Sequence, residues 1–528
     1  MSLSKNINPS KISLSRDDTG TLLLLAAVIF GAWFRIMPVW LAGFPLNDGG
    51  MFYSMMKDLQ ANGFIPPTYT TYNNLNIPFA YPPLGLYVGA GISSLFGISG
   101  IEILRWLPAI INSFCVPVFY LLAKEITEDK LKGAVAALIF GFTPHLTNWL
   151  SAGGGLTRSF GTLFLILTIL YAHRLFRSGD KKFIWATTFF GGLAILSHPE
   201  AGIYAISLAI LAWFANSVSV KSTFHAILVA VGAAILAGWW YGWVVHTHGM
   251  ESILSALQTG GHSPLSVLKM LNINFLTEEP YLSLLGATGV LGIIFLIISK
   301  RYFAPAMLLV IYLVQPRSAH TIANIPLAIA SGVFVVVVLL PAIQRVDETL
   351  NTKRGLKIFL LLLAPYLFAN STFYALTLSQ NHVSQGERQA MTWVKENTPE
   401  GSRFVTITGE GEAWCDSSGE WFPALAERHS LSTLQGREWL LGKSYNEFAT
   451  HRSILHACIN EDVACLEREL DYFGTNADYV YVATKTPTKN CSAVTTSQTT
   501  PPVVLSLQKS PDYSIVYESP EVVIFEKK

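Results

Sequence analysis

Long apolar runs separated by short polar stretches dominate the first 378 residues of the chain. Most runs approach 20 residues, the length at which an α-helix crosses the hydrocarbon core of a bilayer. The pattern predicts eleven membrane-spanning helices, at 21–41, 104–123, 131–150, 157–176, 183–197, 201–217, 226–246, 281–299, 302–315, 323–344 and 356–375. The fifth and sixth are short and meet at Ser197-His198-Pro199, which indicates a short or broken helical hairpin.

The apolar segment 79–98 is left out of this count. Prolines and glycines interrupt it, and counting it as a span would reverse the orientation of every later loop. We therefore predict an interfacial or re-entrant helix that stays on the outer side of the membrane.

The last 150 residues have a different pattern. Apolar and polar positions alternate at 404–408, 478–484 and 521–527, which predicts strands, and 387–402 reads as an amphipathic helix that ends at a Pro/Gly turn. The chain is thus expected to comprise a cytoplasmic tail (1–20), an all-α polytopic membrane domain (21–378) and a C-terminal extracytoplasmic α/β domain (379–528).

Composition and charge agree with this division. Hydrophobic residues make up 51% of the 528 residues and charged residues 13%, with a mean hydropathy of +0.40, whereas soluble domains carry about a quarter charged residues. The net charge of +1 gives no electrostatic case for nucleic acid. With the N-terminus in the cytoplasm, 17 of the Lys and Arg residues before position 379 lie on the cytoplasmic side and 6 on or near the outer side. The expected location is the plasma membrane, with several crossings.

Four of the five cysteines lie in the predicted C-terminal domain: Cys415, Cys458, Cys465 and Cys491. An outer location permits disulfides, and Cys458 with Cys465 is the first pair to expect. Three complete pairings are possible, and four free thiols are the alternative.

Polar residues gather at the predicted outer ends of the spans, which suggests one outward-facing site. Asp48 follows the first span directly, before two glycines and a predicted amphipathic helix at 51–62. Its carboxylate has the chemistry of a general base. The structural alternative is an Asp that caps the following helix.

Three further clusters lie at the same predicted level. The segment 151–161, SAGGGLTRSFG, places Arg158 after three glycines at a helix start, which suits an anion such as a phosphate. Arg317 and His320 are three residues apart in another outer loop and suit the same ligand. A snorkelling arginine and a structural pair are the alternatives.

His198 and Glu200 lie at the tip of the short hairpin. Two residues are too few to define a metal site, and a hydrogen-bonded hairpin tip is favoured. No phosphate-binding loop, dinucleotide fingerprint, serine-hydrolase elbow or zinc-protease helix occurs in the sequence, which argues against an ATP-driven pump.

The order of these parts resembles the GT-C superfamily of polyprenyl-phosphate-dependent glycosyltransferases, including protein O-mannosyltransferases and lipid A aminoarabinose transferases. At residue level the resemblance depends on NDGG (47–50), YPPLGLY (81–87) and 101–126, where Arg105 begins an Arg-x-x-Pro motif. It implies that Asp48 is the catalytic base. It also implies that Arg158, Arg317 and His320 bind the donor phosphate, that Asn47, Tyr81, Pro82 and Pro83 shape the substrate entrance, and that His198, Glu200 and Arg105 support the site.

The sequence departs from the family pattern in the acidic residues of its outer loops, because members of the family often have two adjacent acidic residues or a pair spread over two outer loops. Asn47 precedes Asp48, and the second outer loop (151–157) contains no acid, so a divalent metal is possible but not favoured, and no cofactor is required. The implied function is inverting transfer of a sugar from a polyprenyl-phosphate donor to a protein, lipid or glycan acceptor at the outer membrane face, without nucleic acid.

Three alternatives stay open at this point. A flippase or transporter for a lipid-linked glycan predicts ionisable residues at midspan and internal repeats. A non-catalytic GT-C-like assembly protein predicts that Asp48 can be replaced without effect. A ligase that uses a lipid-diphosphate oligosaccharide would depend more on outer-loop Arg and His.

Overall fold

The computed structural model describes residues 15–258, 264–271, 279, 283–349, 355–473, 477–484 and 500–528. The helices in chain order are α1 (Arg16–Ala42), α2 (Gly50–Ala61), α3 (Leu84–Phe96), α4 (Gly100–Thr127), α5 (Lys130–Phe142), α6 (Asn148–Ser151), α7 (Gly155–Ser178), α8 (Lys182–Ser197), α9 (Pro199–Asn216), α10 (Val220–His248), α11 (Glu251–Gln258), α12 (Leu284–Ile298), α13 (Phe303–Val314), α14 (Ala319–Ile322), α15 (Asn324–Phe334), α16 (Leu340–Thr349), α17 (Gly355–Leu378), α18 (Gln385–Asn397), α19 (Ser417–Ala426), α20 (Tyr445–Ala457), α21 (Val463–Tyr472) and α22 (Pro502–Lys509). The strands are β1 (Tyr69–Thr70), β2 (Ile77–Pro78), β3 (Arg403–Ile407), β4 (His429–Ser430), β5 (Tyr479–Ala483), β6 (Tyr513–Glu518) and β7 (Val522–Lys527).

A helix is present at each of the eleven predicted spans. Among the described residues, six helical stretches are long and apolar enough to cross a membrane: Arg16–Ala42, Gly100–Thr127, Gly155–Ser178, Val220–His248, Ala319–Thr349 and Leu361–Leu378. The protein is therefore a multi-pass membrane protein, and large apolar side chains exposed on these helices, such as Phe114 and Ile235, suit contact with lipid tails.

The count of eleven stays a prediction, because several helices are short. α5 has 13 residues, or about 20 Å of helix against a hydrocarbon core of about 30 Å. α12 and α13, predicted as two spans, meet at a bend of 120° and pass the length criterion only together, as one broken or re-entrant span. The described parts of the chain then contain up to seven spans by this criterion. The excluded segment 79–98 forms the 13-residue helix α3, which is also below spanning length.

The C-terminal region, residues 385–528, contains a five-stranded mixed sheet. Its strand order is β4-β3-β5-β7-β6, with β3 parallel to β4 and β5, and β7 antiparallel to β5 and β6. All three predicted strands and the predicted amphipathic helix (α18) are present. A second apolar core lies between this sheet and its helices, with Val405, Leu466 and Val504 among its buried members.

The C-terminal region and the first loop share one apolar core. Buried residues of α2, including Met51 and Met55, belong to the same cluster as Trp421 of α19 and Tyr481 of β5. The ring of Trp421 lies 4.9 Å from that of Phe44, which follows α1. The C-terminal region therefore packs directly against the loop that carries Asp48.

One arginine is fully buried within the helix bundle. Arg35 of α1 has no exposed surface, and its guanidinium donates to Oδ1 of Asn112 (3.1 Å) and to the carbonyl oxygens of Gly31 (2.9 Å), Gly141 (2.9 Å) and Phe140 (3.2 Å). These bonds tie α1 to α4 and α5. All three nitrogens of its guanidinium donate to protein acceptors, which is the arrangement expected of a structural cation.

The predicted disulfide is confirmed. Cys458, which follows α20, and Cys465 of α21 are bonded, with Cα atoms 5.7 Å apart. Cys415 is also disulfide-bonded, and Cys491 lies outside the described residues, as do most of the predicted loop residues 484–502.

Candidate active site

A sharp turn places Asp48 between α1 and α2. Asn47 before it and Gly49 after it both have positive φ, at 52° and 138°. The second value suits only glycine. Asp48 is partly buried, with 16% of its side chain exposed.

A second glycine turn closes around the first. The amide of Gly153 donates to the carbonyl of Leu46 (2.8 Å), and the amide of Gly154 donates to the carbonyl of Asp48 (3.1 Å). A methyl group on Gly154 would lie 2.6 Å from Cγ of Asp48, well inside van der Waals contact. The glycines at 153–155 therefore permit the two loops to touch.

The Asp48 carboxylate is held at the start of α7. Its Oδ1 accepts a hydrogen bond from the amide of Gly154 (3.0 Å), and its Oδ2 forms an ion pair with Nη1 of Arg158 (3.1 Å). The positive end of the α7 dipole favours an anion at the same place. The guanidinium of Arg158 also lies over the ring of Trp149, 5.2 Å from its centroid.

Two residues that the sequence assigned to different outer loops are thus direct partners. In this structure the anion in the 151–161 turn is the carboxylate of Asp48. Asp48 does not cap α2, whose start receives no side-chain bond from its own N-cap residue, Gly49. Within the described ranges, Arg158 makes one side-chain hydrogen bond, through Nη1.

Tyr81 connects this ion pair to the C-terminal region. Its ring centroid lies 4.8 Å from that of Phe52, 6.1 Å from His198 and 6.4 Å from Trp439. Burial raises the pKa of Tyr81 to about 12, although Arg158 and a hydrogen bond with Thr157 act in the opposite direction. At neutral pH the phenol is therefore a hydrogen-bond donor and not a base.

His198 and Glu200 lie at the α8–α9 junction, as predicted. Oε1 of Glu200 accepts a hydrogen bond from Nε2 of Gln315 (3.2 Å), and the hydroxyl of Tyr204 donates to the carbonyl of Gln315. The hairpin tip is therefore bonded to the loop before α14, while the His198 ring faces Tyr81.

Arg317 lies in that loop and His320 in α14, and the two residues have different neighbours. The ring of His320 packs against His145, with centroids 4.4 Å apart. Arg317 is exposed and lies close enough to Glu438 for its charge to oppose the effect of burial, which raises the pKa of Glu438. Only Arg317 is thereby placed beside the C-terminal region.

Four other predicted site residues have structural contacts. Arg105 donates to the carbonyls of Val39 (2.9 Å) and Trp40 (3.1 Å) and so caps α1. Asn47 donates through Nδ2 to the carbonyl of Trp414 (2.8 Å). The buried Pro82 and Pro83 lead into α3.

Sequence reasoning missed the residue that caps α2. Glu420 of α19 accepts hydrogen bonds from the amides of Gly49 (3.1 Å) and Gly50 (2.9 Å) through Oε2, and from Met51 (3.2 Å) through Oε1. Burial, with the negative charge of Asp48, raises the pKa of Glu420 to about 8, while the three amide donors lower it. No local signal marks a contact across 371 residues.

No group of three or more His, Cys, Asp or Glu side chains with metal-binding geometry exists in the described part of the chain. The polar centre consists of one carboxylate, one guanidinium, backbone amides and a phenol. Such a set can accept a proton and neutralise an anion.

Known proteins share this architecture. Residues 80–243 match the model of a family described as dolichyl-phosphate-mannose-protein mannosyltransferase. ArnT from Cupriavidus metallidurans, solved without ligand, superposes with a TM-score of 0.56 at 13% identity over 96% of this chain and 97% of its own. The chain has the GT-C fold. The fold that the resemblance implied is thereby confirmed.

Two other solved proteins with the GT-C fold are similar to this chain. The oligosaccharyltransferase AglB from Archaeoglobus fulgidus, in complex with an inhibitory peptide and a dolichol-phosphate, matches with a TM-score of 0.56 at 15% identity over 88% of this chain and 69% of AglB. The arabinofuranosyltransferase AftD from Mycobacteria matches at 0.55 and 14% over 98% of this chain and 40% of AftD. No curated protein matches the sequence significantly.

Proposed function

We propose that the protein is an integral-membrane glycosyltransferase that moves a sugar from a polyprenyl-phosphate donor to an acceptor at the outer face of the membrane. The observation that carries the proposal is the Asp48–Arg158 pair at the junction of two glycine turns. Solved relatives with the GT-C fold contain dolichol-phosphate in AglB and undecaprenyl phosphate in ArnT. We propose that a lipid-phosphate donor binds beside the Asp48–Arg158 pair.

The reaction we propose is a single inverting displacement. The acceptor oxygen attacks the anomeric carbon while its proton passes to a carboxylate oxygen of Asp48, and the bond between the anomeric carbon and the phosphate oxygen breaks. Polyprenyl phosphate leaves with the bonding electrons. Arg158, which carries more N–H donors than Asp48 uses, neutralises the departing phosphate, an effect that contributes several kcal/mol in such sites. Arg317 is the second cation proposed for the donor.

The orientation is part of the proposal. The N-terminus is cytoplasmic and the C-terminal region extracytoplasmic, as the distribution of Lys and Arg indicates. The proposed domain limits stay at 1–20, 21–378 and 379–528. Tyr81, Pro82 and Pro83 would border the substrate entrance, since Tyr81 lies between Arg158 and Trp439.

The decisive experiment is turnover of radiolabelled polyprenyl-phosphate sugars by the purified protein in detergent, with Asp48→Asn beside the wild type. We expect the substitution to lower turnover by at least about 100-fold, because a general base typically contributes 10²–10⁴. Asp180→Asn, in the polar connector between α7 and α8, is the control and should keep wild-type turnover. Transfer that survives Asp48→Asn would exclude Asp48 as the base, and no transfer with any donor would contradict the enzyme class.

A further inference from the structure

Glu420 provides contacts that the loop carrying Asp48 does not supply itself. The first amides of a helix have no partner within the helix, and α2 begins at Gly50 after a glycine without a capping side chain. Both carboxyl oxygens of Glu420 accept hydrogen bonds from this end. Glu420 is buried, at 8% exposure, so water does not replace these bonds easily.

Further hydrogen bonds hold the residue before Asp48. Nε1 of Trp421 donates to the carbonyl of Asn47 (3.0 Å), and Nδ2 of Asn47 donates to the carbonyl of Trp414 (2.8 Å). The C-terminal region is thus hydrogen-bonded to the loop at Asn47 and again at residues 49–51. Asp48 lies between the two points of attachment.

The first loop and α19 are packed closely where they meet. A methyl group on Gly50 would lie 2.8 Å from the carbonyl oxygen of Glu420 and 3.1 Å from the Cα of Trp421. The hydroxyl of Tyr72, from the first loop, donates to the same Glu420 carbonyl (2.5 Å). The backbone and the side chain of Glu420 are both in contact with the first loop.

We infer that Glu420 is a positioning residue for Asp48, so that the C-terminal region completes the catalytic centre and does not merely cover it. This inference depends on the proposed function of Asp48 as the base. A displacement of about 1 Å in such a group can cost 10²-fold in rate. Because Glu420 bonds to the backbone of the loop and not to Arg158, the cation proposed for the donor phosphate, its loss should lower kcat and leave donor affinity nearly unchanged.

The experiment compares Glu420→Gln and Glu420→Ala with Glu427→Gln. Gln keeps the size of the side chain, but its NH₂ group cannot accept a hydrogen bond, whereas both carboxyl oxygens of Glu420 keep an acceptor lone pair even when the group is protonated. Ala removes all three bonds. Glu427 ends α19 and pairs with Lys57 of α2 (3.0 Å) and with Lys395 (2.8 Å) on an exposed surface. Glu427→Gln therefore removes another contact between the same two helices without touching the Asp48 loop.

Three quantities are measured in detergent: kcat for the lipid-phosphate sugar, its KM, and the rate of hydrogen exchange of the amides at 49–51. We expect Glu420→Gln to lower kcat about tenfold or more, to change KM less than about threefold and to accelerate exchange at these amides, with Ala stronger in each. Glu427→Gln should match the wild type in all three.

Unchanged exchange in Glu420→Gln would overturn the inference, and so would faster exchange with an unchanged kcat. Equal losses in the Glu420 and Glu427 variants would show a general effect of weakened packing and would also overturn it. If the wild type transfers no sugar from any donor, the proposed function fails, and the exchange measurement still separates a loop held by Glu420 from one that is not.

Discussion

At the scale of single residues, the catalytic proposal depends on close backbone approach. The amides of Gly153 and Gly154 donate to the carbonyls of Leu46 and Asp48, and the carboxylate of Asp48 lies against Gly154. Positions 153 and 154 require glycine for steric reasons, independently of the chemistry of Asp48.

Gly154→Ala tests this requirement. The new methyl group would overlap the Asp48 carboxylate, so either Asp48 or the start of α7 must move, and we expect turnover to fall by about 100-fold. Gly401→Ala is the control, because a methyl group there meets no atom within 4 Å. Wild-type turnover in Gly154→Ala would contradict the contact between the two loops.

Glu420 leads to a prediction about pH. Its pKa of about 8 in the folded protein exceeds the value of about 4.3 expected in the unfolded chain. Between these values the folded state holds a proton that the unfolded state has released, so the free energy of unfolding falls as the pH rises through this window. The melting temperature of the wild type should therefore fall more steeply between pH 5 and pH 8 than that of Glu420→Gln, which cannot titrate. Parallel curves for the two proteins would contradict the raised pKa.

At the scale of elements, periodicity predicted most of what the structure contains. α2, α3, the α8–α9 hairpin and three strands lie where apolar spacing placed them, because each element buries its own apolar face. The contact between Asp48 and Arg158 was not predicted, although both residues were, since spacing does not reveal which loops touch. The contact of Glu420 with the start of α2 could not be predicted for the same reason, because its partners are 369 to 371 residues away in the sequence.

The buried Arg35 gives a prediction for the helix bundle. Arg35→Met removes bonds that connect α1 to α4 and α5 and leaves buried acceptors without a donor, which should cost at least about 2 kcal/mol of stability. The melting temperature in detergent should fall clearly. Arg16→Met, at the exposed start of α1, should have little effect. A melting temperature unchanged by Arg35→Met would show that these bonds do not stabilise the bundle.

At the scale of the whole molecule, the side of the membrane on which the C-terminal region lies can be tested. Disulfides persist in oxidising compartments, so the bonded Cys458 and Cys465 agree with the proposed extracytoplasmic C-terminal region. In intact cells, an impermeant maleimide should label a cysteine introduced as Glu400→Cys in the exposed turn after α18, with the buried disulfide left intact. A cysteine introduced as Asp180→Cys, between α7 and α8, should react only after permeabilisation. The reverse pattern would invert the proposed topology.

The capping of α2 by Glu420 also has a consequence for biosynthesis. Translation proceeds at about 5–20 residues per second, and 370 residues separate Gly50 from Glu420. The ribosome therefore needs about 20 to 75 s after the Asp48 loop emerges before it makes the residue that holds this loop. The helices from α3 to α18 are synthesised during this interval, so the nascent chain can hold Asp48 in its proposed place only after α19 has been made.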